Sequence, residues 1–429
     1  MSMRGRAGLI TVMLAVMGLA GCGHYICSQG ANFGSSSCTA SGGGPSQGGG
    51  GGTANAAFVY AVDQTGKIDA YTLDTTAGTF AAPASYTPPT VPTNTGGVGM
   101  VVAQKQFVYA GFGNVGELFG WSIDSSTGGL TSIAGVNPLS APFLANFGAG
   151  VGQGNMITNP AGTMLFISDT TQSGIYVYTI GSGGALSLVS GSPFAVPFEP
   201  MNLATDGLGK YLYAINGDFS THTGSEIAAF TIGSGGTLTP VVGSPFITGA
   251  GANYSMWQLA GEPTGKYMIG ASGRSAFYSG SDDDHLYVFS IQSGASAGAL
   301  TPVGTPITTA FSPFSIAVQS NINGNLVYSF SFNDTATGFN GVEGYQISGS
   351  GVLSALPGSP FSNVAEGTWG QFDQSGTFLL VWGSFFDLGT NAQVTQIGAD
   401  EVGSGGLLTQ PIPTLTFPDE GFWVVTDPQ

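Results

Sequence analysis

The stretch 200–246, PMNLATDGLGKYLYAINGDFSTHTGSEIAAFTIGSGGTLTPVVGSPF, holds one complete structural unit and decides the fold. Pro200 to Thr205 alternates apolar and polar residues as a half-buried strand does, and Asp206-Gly207-Leu208-Gly209-Lys210 turns tightly. Tyr211 to Ile215 is more continuously apolar, as expected of a strand buried on both faces. After a polar loop, Glu226 to Ile232 alternates again. Gly233-Ser234-Gly235-Gly236 turns the chain, and Thr237 to Val241 forms a fourth, edge-like strand before Gly-Ser-Pro-Phe. Four short strands with tight turns make one antiparallel sheet, the blade of a β-propeller.

The unit recurs seven times. Gly-Ser-Pro-Phe stands at 191–194, 243–246 and 358–361, with the variant Gly-Thr-Pro-Ile at 304–307. The residue before each fourth-strand Thr or Ser is Leu130, Leu186, Leu238, Leu300, Leu353 or Leu408, with Phe80 in the first place, a spacing of 50 to 62 residues. Such a period signals a propeller, solenoid or array. The chain enters at a second strand, Ala57 to Val62, and ends with a lone first strand, Gly421 to Pro428. That last strand can only complete the blade begun at the N-terminus, which removes exposed edges. A solenoid would not need this split unit. The expectation is therefore all-β: a seven-bladed propeller of four-stranded antiparallel blades over 54–429.

Composition supports a turn-rich β protein. Seventy-two glycines and twenty-three prolines suit short strands, while 42% hydrophobic residues supply a core. Charged residues are only 7%, so neutral polar groups must wet most of the surface. The formal charge of −17 repels phosphate backbones and argues against a nucleic-acid partner.

The first 53 residues read differently. Arg4 and Arg6 precede an apolar run from Ala7 to Met17, and Leu19-Ala20-Gly21-Cys22 closes it. This is the pattern of a signal segment over 1–21, too short to span a bilayer comfortably. A Cys directly after Leu-Ala-Gly resembles a bacterial lipobox, which implies lipidation of Cys22 and a membrane partner through that anchor. The expected location is the bacterial cell envelope, outside the cytoplasm. Residues 22–53 are Gly/Ser-rich and read as a flexible tether. Cys27 and Cys38 within it could pair or remain free.

Loop lengths point to a working face. Connections from first to second strand are short, whereas those from second to third strand vary widely: 216–226, 271–285, 331–342 and 383–393 are long. The segments leading into the next blade are also long, as at 137–154. Both classes emerge on one face, where binding usually sits. Residues expected there include Asp169, Asp218, Glu226, Asp282, Asp283 and Asp284.

The candidate chemistry is sparse. His222 and His285 are the only histidines of the globular part, and each has carboxylates nearby that could make it a general base. Arg274 is the sole arginine after the signal and could hold an anion. Loop histidines and arginines are more often simply solvated. Asp282-Asp283-Asp284-His285 could offer oxygens to a cation, but consecutive residues diverge and the spaced calcium pattern is absent. No metal and no cofactor is expected. Trp121, Trp257, Trp369, Trp382 and Trp423 could line a sugar-binding surface, although most lie on strands where core packing is the plainer role.

Ser-Pro-Phe, a strand, Asp/Asn-Pro-x-Gly-Lys, Tyr-Leu-Tyr and a Gly-x-Leu-Thr turn together resemble the seven-bladed lactonase family. That family includes propeller-type 6-phosphogluconolactonases and relatives of muconate cycloisomerase. The likeness runs from about residue 55 to 429 and implies a sugar-lactone hydrolase. Active members carry a His-x-His pair, an Asp-Leu-Gly-x-Asp loop and a Gly-Pro-Arg-His stretch. Here the paired histidine positions fall near Gly152 and Gly154, and the acidic loop is Asp169-Thr170-Thr171-Gln172. The Arg-His positions fall near Trp257 and Gln258. The family's acid/base and anion-binding groups are thus not expected at their usual places. Three functions stay open: a monomeric envelope module binding a small molecule or envelope protein, a divergent lactonase using His222, His285 and Arg274, or a structural envelope protein.

Overall fold

The computed structural model describes residues 56–429 apart from 63–65, 75–78, 82–83, 87–96, 113–114, 147–154, 170–171, 217–225, 249–255, 274–283, 322–323, 332–340, 363, 365–366, 374–375, 388–391, 410–413, 418–422 and 427–429. The signal segment, Cys22 and the tether lie outside the described residues, as do Asp218, His222, Arg274, Asp282 and Asp283.

Seven antiparallel sheets are present, each running inner, second, third and outer strand. The inner strands are Gly97–Ala103, Met156–Thr158, Pro200–Thr205, Met256–Gly261, Pro313–Asn321, Trp369–Phe372 and Trp423–Thr426. Each touches the next around a closed cycle. The closure is the split blade: Ala56–Val62 pairs with Trp423–Thr426, with Val59 opposite Thr426 and Val62 opposite Trp423. Blades are numbered 1 to 7 from this closing blade.

One expectation is refined. In six blades the outer edge is broken into two short segments that pair with different stretches of the third strand. In blade 4, Leu238–Pro240 pairs with residues 230–232 and Phe246–Ile247 with 226–227. The Gly-Ser-Pro-Phe motif makes this break. Gly243 takes φ 86°, which glycine tolerates without penalty. The Ser244 hydroxyl then accepts the Ala229 N–H at 2.8 Å, filling the ladder position that the break leaves open. Ser192 does the same for Val177 and Ser359 for Gly344, while Asn137 serves Gly120 through its side-chain oxygen.

The core is divided among the gaps between blades. Seven apolar clusters occupy the seven gaps among the described residues. Each second strand serves two of them: Leu212 and Ala214 face blade 3, while Tyr213 and Ile215 face blade 5. Burial on both sides explains its continuous apolar character.

A polar contact locks four of the apolar gaps. Tyr60, Tyr109, Tyr213 and Tyr328 donate their hydroxyls to Gly128, Gly184, Gly298 and Gly406, glycines in the third-to-outer hairpin of the next blade, at 2.6 to 3.1 Å. These glycines must be glycine: a Cβ on Gly298 would lie 2.5 Å from the Tyr211 ring, and one on Gly128 2.4 Å from the Phe58 ring. We expect Gly298→Ala to cost about 2–4 kcal/mol, through overpacking and the strain of φ +87°. Tyr213→Phe should cost about 1 kcal/mol. Urea unfolding of the two variants measures both, and equal costs would show that the hydroxyl, not the close approach, governs the contact.

Candidate binding site at the channel mouth

Two faces follow from the strand order. The inner-to-second and third-to-outer turns share one face, and the longer connections share the other, where the inner strands begin. Lys105, Lys210 and Lys266 are exposed in inner-to-second turns, on the turn face. Asp206 builds one such turn by accepting the N–H groups of Lys210 and Tyr211 at 2.7 and 2.8 Å. Among the described residues, Lys67 is the one basic side chain at the opposite face, and it is paired with Asp69 at 2.9 Å.

At the mouth of the channel the inner strands bulge. Positions 98, 201, 257 and 314 are extra residues with no partner on the second strand. A bulge re-aims its side chain and is frequent beside sites. Here it turns Trp257 and Phe314 out of the ladder, and both remain half-buried. Their ring centroids lie 5.0 Å apart, and Phe314 meets Trp369 of blade 7 edge-on at 4.9 Å. Three half-buried rings thus form an arc across blades 5 to 7. Trp121 and Trp382 are buried core residues, whereas nothing is described for the Trp423 side chain.

After three of these bulges the next residue grips the following blade. Asn202 Oδ1 accepts the Leu259 N–H at 3.3 Å, and Gln258 Oε1 accepts the Ile316 N–H at 2.7 Å. Ser315 donates its hydroxyl to the Thr368 carbonyl at 2.6 Å. Strand pairing puts Asn155 in the same register in blade 3, since its carbonyl accepts the Ser168 N–H. Asn155 is only 1% exposed, and among the described residues neither of its amide atoms has a hydrogen-bond partner.

The described acidic and imidazole candidates lie on the same face, farther from the axis. Glu226 and His285 each open a third strand, opposite Ile247 and Thr308 of their outer edges. That is two strand spacings, roughly 10 Å, outward from the inner strands. His285 Nε2 lies 3.2 Å from the Thr308 hydroxyl. Asp169 ends the second strand of blade 3, is fully buried and accepts the Gln172 N–H at 3.1 Å. Asp284 is half-buried, and its carbonyl accepts the Thr309 N–H. No described group of three or more His, Cys, Asp or Glu residues could hold a metal ion.

Sequence reasoning missed Glu343. Its Oε1 accepts the N–H groups of Ala310 and Phe311 at 2.7 and 2.8 Å, and Tyr345 donates its hydroxyl to Oε2. Glu343 therefore grips the segment that carries the chain from blade 5 to blade 6. The cross-blade grips of Asn202 and Gln258 were missed as well, and a polar residue following a bulge was the available signal.

Scans against protein-family models and curated proteins find no match. Solved structures do match. A Bacteroides fragilis protein with a provisional 6-phosphogluconolactonase assignment has TM-score 0.58 at 17% identity, covering 88% of this chain and all of its own. A Bacteroides uniformis protein with the same provisional assignment has TM-score 0.57 at 16%, covering 86% and 99%. The periplasmic gluconolactonase of Pseudomonas aeruginosa has TM-score 0.53 at 14%, also covering 86% and 99%. The chain has the lactonase-type propeller fold. At these identities the likeness reaches the fold and stops there. Within the lactonase-type propeller of this chain, Trp257 is the bulged member of the aromatic arc and Gln258 is committed to the neighbouring backbone.

Burial pushes the Glu343 carboxyl above the usual range, with the Asp284 charge adding to the shift and the Tyr345, Phe311 and Ala310 hydrogen bonds opposing it. A raised folded-state value contributes stability that is present in acid and lost as pH rises through it. Glu343→Gln should keep the acceptor for Ala310 and Phe311 and remove this loss. Its stability relative to wild type should then rise as pH climbs above the usual carboxylate range in urea titrations. A difference independent of pH would show that Glu343 does not titrate in this way.

Proposed function

We propose that this chain is a lipid-anchored cell-envelope propeller that binds a small molecule or envelope protein at its channel mouth, without the acid/base set of the lactonases. The observation that carries the reading is the use of Trp257 and Gln258, one in an aromatic arc and one holding the Ile316 backbone. Neither can do the work of an Arg-His pair. The position of His285, on a third strand and against Thr308, supports the same reading.

The lipid anchor rests on Leu19-Ala20-Gly21-Cys22, and the location in the bacterial envelope rests on the anchor. The acidic, lysine-poor composition supports the absence of nucleic-acid partners. A monomer is favoured because the closed ring leaves no inner edge for a second copy to extend.

The second reading is a divergent sugar-lactone hydrolase built on His222, His285 and Arg274. It is favoured by the provisional lactonase assignments of two of the structural neighbours and by the third being a gluconolactonase. A panel of sugar lactones separates the two. Purified mature protein is expected to hydrolyse none above the buffer rate, and hydrolysis lost in His285→Ala would establish the second reading instead. Cys22→Ser should leave the precursor unprocessed in pulse-labelled cells, and normal maturation would remove the anchor.

A further inference from the structure

The channel mouth pairs an apolar arc with unsatisfied polar groups, and that pairing narrows what it can hold. Trp257, Phe314 and Trp369 present half-buried rings on three successive inner strands. At the same register on blade 3, Asn155 has both amide atoms buried without partners among the described residues, whereas its counterparts Asn202 and Gln258 each hold the next blade. A buried donor or acceptor without a partner costs free energy comparable to a lost hydrogen bond. Such groups persist where a partner outside the chain completes them.

Charge then selects the chemistry. The described lysines lie on the turn face, except Lys67, which Asp69 holds. With a formal charge of −17 over the whole sequence, the net field of the protein disfavours an anionic ligand over a neutral one. A purely apolar ligand would match the rings but leave the Asn155 amide unsatisfied. A neutral sugar meets both demands: its C–H face stacks on an aromatic ring, and its hydroxyls both donate and accept. We infer that the mouth binds a neutral saccharide, stacked on Trp257 and Trp369 and oriented by Asn155. This rests on the binding-module reading and specifies its ligand.

Isothermal titration of the lipidated chain in detergent micelles tests it, using maltohexaose, cellohexaose, laminarihexaose and chitohexaose as neutral probes and 6-phosphogluconate as the anionic one. At least one neutral hexasaccharide should bind, and Trp257→Ala or Trp369→Ala should weaken it by about tenfold or more. Asn155→Leu is the sharper variant. Removing an orphaned buried amide should leave urea stability unchanged or raised, yet weaken saccharide binding by about tenfold. A turn-face control, Lys210→Ala, should bind as wild type does.

Absence of neutral-saccharide binding up to about 10 mM would overturn the inference. So would binding indifferent to Trp257→Ala, or an Asn155→Leu protein that binds normally but has lost stability. If 6-phosphogluconate binds and Trp257→Ala abolishes it, the mouth remains a binding site and only the neutral class falls. If no probe binds and lactones are hydrolysed, the binding-module reading itself falls.

Discussion

The blades of this propeller are held in step by hairpin glycines pressed onto aromatic rings. Gly128, Gly184, Gly298 and Gly351 each approach the first aromatic of the preceding blade's second strand so closely that no Cβ would fit. In the first three cases a tyrosine two residues on caps the hairpin carbonyl; Tyr267 does both jobs against Gly351 and Gly349. The contact sets the separation of neighbouring blades and leaves a gap that side chains can fill without voids. Seven such gaps, closed by the pairing of Val59–Val62 with the C-terminal strand, fix the diameter of the ring. The height at which the inner strands begin follows from that geometry, and so does the spacing of the rings at the mouth.

Much of this was legible in the sequence, because repetition exposes what a single copy hides. Seven copies made the blade order and the split closing unit readable from strand periodicity and turn residues alone. The role of Gly-Ser-Pro-Phe was not readable. Ser244 matters because the outer edge breaks beside it, and a broken edge has no signature in hydrophobic alternation. Glu343 was hidden for a related reason. In Val342-Glu343-Gly344-Tyr345 it reads as a solvent-facing strand residue, yet a segment 33 residues upstream folds over it and supplies its hydrogen bonds. The mouth was half legible. Its tryptophans were visible, but the bulges that turn Trp257 and Phe314 out of the ladder depend on how two strands register.

Chemistry on this scaffold divides by radius. Near the channel the described groups are aromatic, amide and hydroxyl, and several are spent on holding one inner strand to the next. At the mouth's face, Asp169, Glu226, Glu343 and His285 lie farther out, on second and third strands, where Asp169 stabilises a turn and Glu343 a blade junction. Groups already engaged in such contacts are poorly placed to move protons for a ligand at the axis. The fold shared with lactonase-type propellers therefore keeps its architecture while the interior of its mouth takes on a stacking and hydrogen-bonding character.

The most direct test of that account is fluorine NMR of the chain labelled with 5-fluorotryptophan, its five resonances assigned by single Trp→Phe variants. On titration with the neutral hexasaccharides, the Trp257 and Trp369 resonances should shift together, and the Trp121 resonance should stay in place. A shift confined to Trp121, or no shift at Trp257, would contradict it.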